Sequence, residues 1–342
     1  MTKRIGKAIW GKAFTRIISK MAKTATRAGS RVIKKALKAA PKTPRPASVS
    51  PRRNLKESGE PGVTVGMTGA RRYRLYTPPE LPGLRRTESL PLMVMLHGCG
   101  QDAAALAIST RMNQIARRER FLVLYPEQER LANIQVCWNW YDTRTGRAQR
   151  EAESIDAVID QICLSQPVDS RRIALAGLSA GASIAALLAI GRPERFRVLA
   201  MHSGIATGLA HSSATAIMAM RGRRLVADPL PAEVKLPALL VIQGSKDHVV
   251  VSVNGAVLAQ QWATQSGAKA GQPRTVQRGA RYPATITDYR IQGQIAVTLC
   301  EVVGLDHAWS GGAAGHAYSD PKGPDASGMI WAFAKRQFAC PA

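Results

Sequence analysis

From Arg71 onward the chain alternates short apolar runs with amphipathic stretches of helical length. Leu92–Leu96 (LMVML), Phe121–Tyr125 (FLVLY), Ile173–Ala176 (IALA), Arg197–Met201 (RVLAM) and Leu239–Gln243 (LLVIQ) are short and almost continuously apolar. That is the pattern of parallel strands buried on both faces. Between them lie helical patterns. One is capped by Asp102 and reaches Arg118, one spans Glu151–Ser165 with Ile155, Val158, Ile159 and Ile162 on a single face, and one spans Ser252–Ser266. A last helix is expected from Ala326 to Gln337. Arg72–Thr77 reads as a further strand closed by Pro78-Pro79, and Thr285–Ile291 with Ile295–Val303 as a hairpin turning at Gln292-Gly293-Gln294. Residues 127–150 form a long loop, and residues 205–235 a helix with an irregular insert. Alternating β and α with buried strands predicts an α/β fold, a mostly parallel, doubly wound sheet with helices on both faces.

The N-terminal residues break this pattern. The 342-residue chain carries a formal charge of +25, and residues 1–56 hold 17 Lys/Arg and no Asp/Glu. The remaining 31 basic residues face 23 acidic ones, so the sequence from 57 onward is only mildly basic. Residues 1–40 read as a basic arm in which Ile5, Ile9 and Ile17 recur near helical spacing. Such an arm suits an anionic surface: granule, membrane headgroups or nucleic acid. A solvated tail and a targeting segment are the competing readings. Prolines at 41, 44, 46, 51 and 61 mark residues 41–70 as a linker, leaving 71–342 as the folded domain. No uninterrupted apolar core follows the first charges, which argues against a secretory signal and for a cytoplasmic or granule-associated protein. No stretch has the length of a membrane span. Five cysteines show neither metal spacing nor a dense disulfide framework, so neither metal nor cofactor is expected.

The chemistry centres on Gly177-Leu178-Ser179-Ala180-Gly181, where an apolar strand turns sharply into a small-residue helix. This G-x-S-x-G elbow lifts a serine above the strand ends. A serine hydroxyl needs a base to accept its proton and an acid to orient that base. Asp247 follows the LLVIQ strand and His307 follows the hairpin, giving the order serine, acid, histidine, each at a strand end. Rival bases are His248, next to Asp247, and His316, in a glycine-rich stretch. His97 is expected to brace the loop after LMVML, and His202 and His211 to be structural or surface residues. Asp306 is set aside by its adjacency to His307, Asp228 by its place before the LLVIQ strand, and Ser183 as packing. The oxyanion donors are expected to be the backbone N–H groups of Ala180 and Cys99. Cys99 as a nucleophile is the rival reading.

LHGCGQD, YPEQ, CWNWYD, GLSAG, QGSKDHVV and GLDHAWSGG occur in this order. In that combination the chain resembles the polyhydroxybutyrate depolymerase family of esterases, close to the feruloyl and acetyl-xylan esterases of carbohydrate esterase family one. The resemblance runs from about Arg71 to Ala339. It implies an α/β-hydrolase fold and a cofactor-free serine esterase working through an acyl-enzyme on short hydroxyalkanoate esters, polymeric or not. Feruloyl or acetyl-xylan esters are the alternative. It carries over Ser179 as nucleophile, Asp247 as acid and His307 as base, and implies that Trp138, Trp140 and Trp309 surround the substrate. It also implies an extracellular setting, from which the basic arm departs. Cys99 and Cys137 both fall in these motifs, and a disulfide between them would brace the oxyanion loop. A granule- or nucleic-acid-binding protein acting through the arm is the reading from a different class.

Overall fold

The computed structural model describes residues 61–79 and 88–340. The basic arm and the linker as far as residue 60 lie outside these residues. Thirteen strands are found among the described residues: β1 Val63–Thr68, β2 Arg71–Tyr76, β3 Leu90–Leu96, β4 Leu122–Pro126, β5 Val168–Leu178, β6 Val198–His202, β7 Ala238–Gly244, β8 Lys269–Ala270, β9 Arg274–Val276, β10 Ala284–Ile291, β11 Gln294–Val302, β12 Trp309–Ser310 and β13 Ser319–Asp320. The helices are α1 Ala103–Thr110, α2 Met112–Glu119, α3 Arg147–Ser165, α4 Ala180–Gly191, α5 Ser213–Met220, α6 Val253–Ser266 and α7 Ala326–Ala339.

The central sheet runs β1-β2-β4-β3-β5-β6-β7-β11-β10-β8. From β4 through β3, β5, β6 and β7 to β11 every neighbouring pair is parallel. β1–β2–β4 and β11–β10–β8 close the two margins antiparallel. Successive residues of a strand point to opposite faces. Met93 and Met95 of β3 therefore join a core with Leu106 of α1, Met112 of α2 and Ile330 and Phe333 of α7. Leu92, Val94 and Leu96, equally buried, face the other way. The doubly wound arrangement predicted from the apolar runs is the one observed.

Two local expectations are corrected, and one element was not anticipated. The helix drawn from Asp102 to Arg118 is two helices, because Arg111 adopts a left-handed conformation with φ 56° that ends α1 and opens α2. Its guanidinium donates to the Gly311 carbonyl, a tertiary bond that local sequence cannot reveal. The sheet also begins earlier than the 41–70 linker allows. Val63–Thr68 pairs along its whole length with β2, although Pro61-Gly62 reads as linker. Finally, β12 and β13 form a small separate sheet after His307. The hairpin is as expected, turning at Gln292 and Gly293 with φ 49° and 77°. Two consecutive positive φ values match the twist of a tight antiparallel turn.

Candidate active site

Ser179 stands at the junction of β5 and α4 with φ 56° and ψ −118°, a conformation that non-glycine residues rarely adopt. The turn is possible because the chain passes very close to itself. A Cβ on Gly181 would be driven into the Leu96 carbonyl, and one on Gly177 into the Gly181 backbone. The Ser179 N–H donates to the His202 carbonyl at 2.8 Å, tying the elbow to β6. Ser179 is the N-cap of α4 but makes no side-chain capping bond, so its hydroxyl is not consumed by the helix.

Asp247 and His307 come together because two loops are stitched to each other. Ser245 N–H donates to the Val302 carbonyl at 2.9 Å and Lys246 N–H to the Leu305 carbonyl at 3.0 Å. Gly304 N–H donates to Ser245 Oγ at 2.9 Å. Gly244 permits this approach, since a Cβ there would meet the Leu305 carbonyl. The result is His307 Nδ1 at 2.8 Å from Asp247 Oδ2. The Asp247 side chain is fully buried and that of His307 is 5% exposed. Asp247 Oδ1 accepts the N–H groups of Val249 at 3.0 Å and Val250 at 2.8 Å. Burial alone would push the Asp247 carboxyl up, but the His307 charge and the bonds from His307 and Val250 outweigh it and hold the group below its ordinary range.

The loop after β3 is held by a disulfide between Cys99 and Cys137, 38 residues apart. Gly100 N–H donates to the Gln135 carbonyl at 3.1 Å, Gly98 N–H to Gln101 Oε1 at 3.1 Å and Gln101 N–H to the Gly98 carbonyl at 3.2 Å. Among the described residues no acceptor is assigned to the Cys99 N–H in the middle of this loop. Ala180 is the first residue of α4, where helical N–H groups lack intrahelical partners and the dipole favours an anion. With its sulfur in the disulfide, Cys99 is no thiol nucleophile. His97 Nε2 accepts the Gln128 N–H at 3.0 Å, which directs its Nδ1 proton to the Gly98 carbonyl at 2.9 Å. Burial lowers its pKa to about 4, so it braces the loop as a neutral ring.

Two of the three tryptophans are corrected. Trp138 and Trp309 have no exposed surface and thus no face for a substrate. Trp138 donates to the His97 carbonyl at 2.9 Å and lies under the Arg71 guanidinium at 5.0 Å. Trp309 donates to Ser327 Oγ at 3.1 Å and stacks on His202 at 5.2 Å. Both are pegs beneath the site. Trp140 keeps an exposed edge of 9%. Among the rival residues, His248 pairs with Asp306 at 2.7 Å and His211 with Asp228 at 2.8 Å, and His316 is exposed. Ser183 Oγ accepts the Ile205 N–H at 3.0 Å, a packing contact as expected. Gln243, whose Nε2 donates to Asp247 Oδ2 at 3.3 Å, did not stand out among the sequence motifs. Its signal was its place, a polar residue at the end of a buried parallel strand.

A strained serine elbow, a buried acid–histidine pair at the next strand ends and a mostly parallel sheet define the α/β-hydrolase fold. Within it, residues 71–276 match the family model "Esterase PHB depolymerase", and the chain belongs to that family. It is 28% identical over 226 residues to poly(3-hydroxyalkanoate) depolymerase C of Paucimonas lemoignei, covering 59% of this chain and 54% of that protein. The chain thus spans about half the length of that depolymerase. It is 23% identical over 244 residues to acetylxylan esterase A of Emericella nidulans, covering 66% of this chain and 78% of that protein. Among solved structures, the acetyl xylan esterase from Aspergillus awamori superposes with a TM-score of 0.54 at 18% identity, covering 69% of this chain and 89% of that one. An S-formylglutathione hydrolase from Agrobacterium tumefaciens gives 0.50 at 16% identity, covering 81% and 93%.

Proposed function

We propose that the protein is a serine esterase that hydrolyses carboxylic esters through an acyl-enzyme, with short hydroxyalkanoate esters as its substrate class. The observation that carries this reading is the buried 2.8 Å contact between His307 Nδ1 and Asp247 Oδ2. With Nδ1–H held by the carboxylate, Nε2 is the unprotonated nitrogen of the ring and serves as the base. In this mechanism Nε2 removes the Ser179 proton as Oγ attacks the ester carbonyl carbon, and Asp247 stabilises the imidazolium. The Cys99 and Ala180 N–H groups receive the developing oxyanion. The proton passes from Nε2 to the leaving alcohol as the C–O bond breaks. Water, deprotonated by the same nitrogen, then releases the acid and restores Ser179.

The substrate class draws on the Paucimonas depolymerase. Acetylated polysaccharide is the second reading, favoured by the fuller coverage of the Emericella acetylxylan esterase. Amorphous polyhydroxybutyrate, acetylated xylan, methyl ferulate and nitrophenyl esters of graded length, assayed side by side, separate the two. Ser179→Ala is expected to keep the fold and lower ester hydrolysis by on the order of 10⁴-fold or more. A variant with near-parent turnover overturns the mechanism. For the arm, we propose contact with an anionic surface. Deleting residues 1–56 is expected to abolish salt-sensitive binding to granules or DNA and to leave soluble esterase activity unchanged. Among the described residues no helix is long and apolar enough to cross a membrane.

A further inference from the structure

Beneath the oxyanion loop lies a buried amide that the acyl-transfer steps do not use. β4 ends at Pro126, beside the parallel strand β3 from which the oxyanion loop departs. Gln128 lies just past β4 and is buried. Its N–H donates to His97 Nε2 at 3.0 Å. Its Oε1 accepts from Arg71 Nη1 at 2.7 Å and from the Glu129 N–H at 3.1 Å. Its Nε2 donates to the Cys137 carbonyl at 3.1 Å.

The donors fix which way this amide faces. A guanidinium and a backbone N–H can only donate, so Oε1 faces Arg71 and Glu129, and the amide nitrogen is left for the Cys137 carbonyl. Arg71 is itself firmly held. It is buried, donates to the Glu127 carbonyl at 3.0 Å and to Ser154 Oγ at 2.8 Å, and covers the Trp138 ring at 5.0 Å. Contacts therefore run from β2 through Arg71 and Gln128 to Cys137, and through the disulfide to Cys99. The backbone of Gln128 secures the residues before Cys99 as well. His97, which accepts the Gln128 N–H, donates in turn to the Gly98 carbonyl at 2.9 Å. One residue thus fastens both the approach to Cys99 and the sulfur bridge from it.

We propose that Gln128 is a positioning residue for the oxyanion donor at the Cys99 N–H, its side-chain amide tying the disulfide to Arg71 and the central sheet. The proposal rests on the serine-esterase reading above. A donor to an oxyanion works by preorganisation, standing at the right distance before the charge develops. The bonds of Gly98 with Gln101 hold the loop to itself, and the Gly100 N–H holds it to the segment that leads into Cys137. Gln128 connects that assembly to β2.

Gln128→Glu is the direct test. It keeps the size of the side chain and an oxygen for Arg71 and Glu129, but the donor to Cys137 becomes an oxygen that repels the carbonyl. With a soluble nitrophenyl ester, kcat is expected to fall about tenfold with KM nearly unchanged, because a donor displaced costs less than a donor removed. A second readout is a trifluoromethyl ketone, whose carbonyl carbon Ser179 Oγ attacks to give a tetrahedral oxyanion while the proton passes to His307. It is expected to bind about tenfold more weakly. A role in folding alone would lower the melting temperature and leave both readouts at the parent's values. If Gln128→Glu does not fold, Gln128→Met, of similar length and without the amide, is read by the same two measurements. In Cys137→Ala, where the bridge to Cys99 is already cut, Gln128→Glu is expected to cost little further. Parent-like kcat and ketone affinity in the Gln128 variant, or full additivity with Cys137→Ala, overturns the proposal. Ser179→Ala run in parallel separates the two levels. If it remains active, the esterase reading fails. If it is inactive while the Gln128 variant behaves as the parent, only the positioning role fails.

Discussion

Asp247-His248 and Asp306-His307 are the same dipeptide at the ends of two adjacent parallel strands, and they pair crosswise. The inner pair, Asp247 with His307, is separated by 2.8 Å, and the outer pair, His248 with Asp306, by 2.7 Å. Distance therefore does not distinguish them. Burial does: the inner side chains are 0% and 5% exposed, the outer ones 53% and 49%. An ion pair in water is weakened by the high dielectric and by salt and contributes about 0–1 kcal/mol. A buried carboxylate costs several kcal/mol unless its oxygens are matched by donors. Asp247 meets that demand with Gln243, Val249, Val250 and His307. A contact with the geometry of an acid–base pair becomes one fit for chemistry only when its surroundings fix its orientation and exclude competing water.

The sharpest break in this comparison comes from making the same change in both acids. Asp247→Asn leaves a ring partner of similar shape but one that no longer requires the proton on Nδ1. In the proposed mechanism the wrong tautomer is then presented to Ser179, and kcat is expected to fall by about 10⁴-fold in a protein that still folds. Asp306→Asn is expected to lower kcat by only a few-fold, because its carboxylate oxygen that accepts the His307 N–H at 2.6 Å is replaced by an amide oxygen that can also accept. Steady-state kinetics on one nitrophenyl ester suffice. Equal losses in the two variants would erase the distinction between inner and outer pairs.

The next effect concerns stability. His202 and His97 are buried neutral, with pKa values lowered by burial to about 3 and about 4 from the ordinary 6.5. Below pH 6.5 the unfolded chain takes up protons at both positions, whereas the folded protein does not until pH approaches 4 and then 3. Stability is therefore full above 6.5 and is lost as pH falls through this window, by several kcal/mol in total. Asp247, held below its ordinary carboxylate range, adds loss of the same sign at still lower pH. Urea unfolding at pH 7, 6, 5 and 4 measures the slope. A flat profile from 7 to 4 would contradict the neutral, buried assignment of the two rings.

The strands and the order of the three reactive residues were legible because they are local: apolar runs, a glycine-flanked serine, and polar residues just after buried strands. What was illegible depends on contacts between distant segments. Arg111 breaks a helix by reaching Gly311, and nothing in the surrounding eight residues announces it. The family resemblance implied that Trp138 and Trp309 surround the substrate, yet their indoles are consumed by the His97 carbonyl and Ser327. Val63–Thr68 lies behind Pro61-Gly62, and only its pairing with β2 marks it as part of the sheet. The tautomer of His202 is set by a backbone N–H 108 residues away, at Ser310. Adjacency in sequence was a sound reason to doubt that Asp247 and His248, or Asp306 and His307, act together, but it could not say that the four pair crosswise.

The smallest expected effect is the most specific check on the outer pair. His248→Ala removes an exposed partner but leaves Asp306 bonded to the His307 N–H. The base should therefore keep its position. The expected change in unfolding free energy is no more than about 1 kcal/mol, and kcat/KM should stay within about threefold of the parent. Since the Debye length shrinks to about 3 Å at 1 M ionic strength, any difference from the parent should narrow at high salt. The Asp247→Asn defect should not, because the inner pair is shielded from solvent. Parallel kinetics of the two variants at low and high salt test this directly. A salt-insensitive collapse of activity in His248→Ala would mean that the outer pair supports the base through its loop, and that exposure is a poor guide to which of the two histidine–aspartate contacts the chemistry depends on.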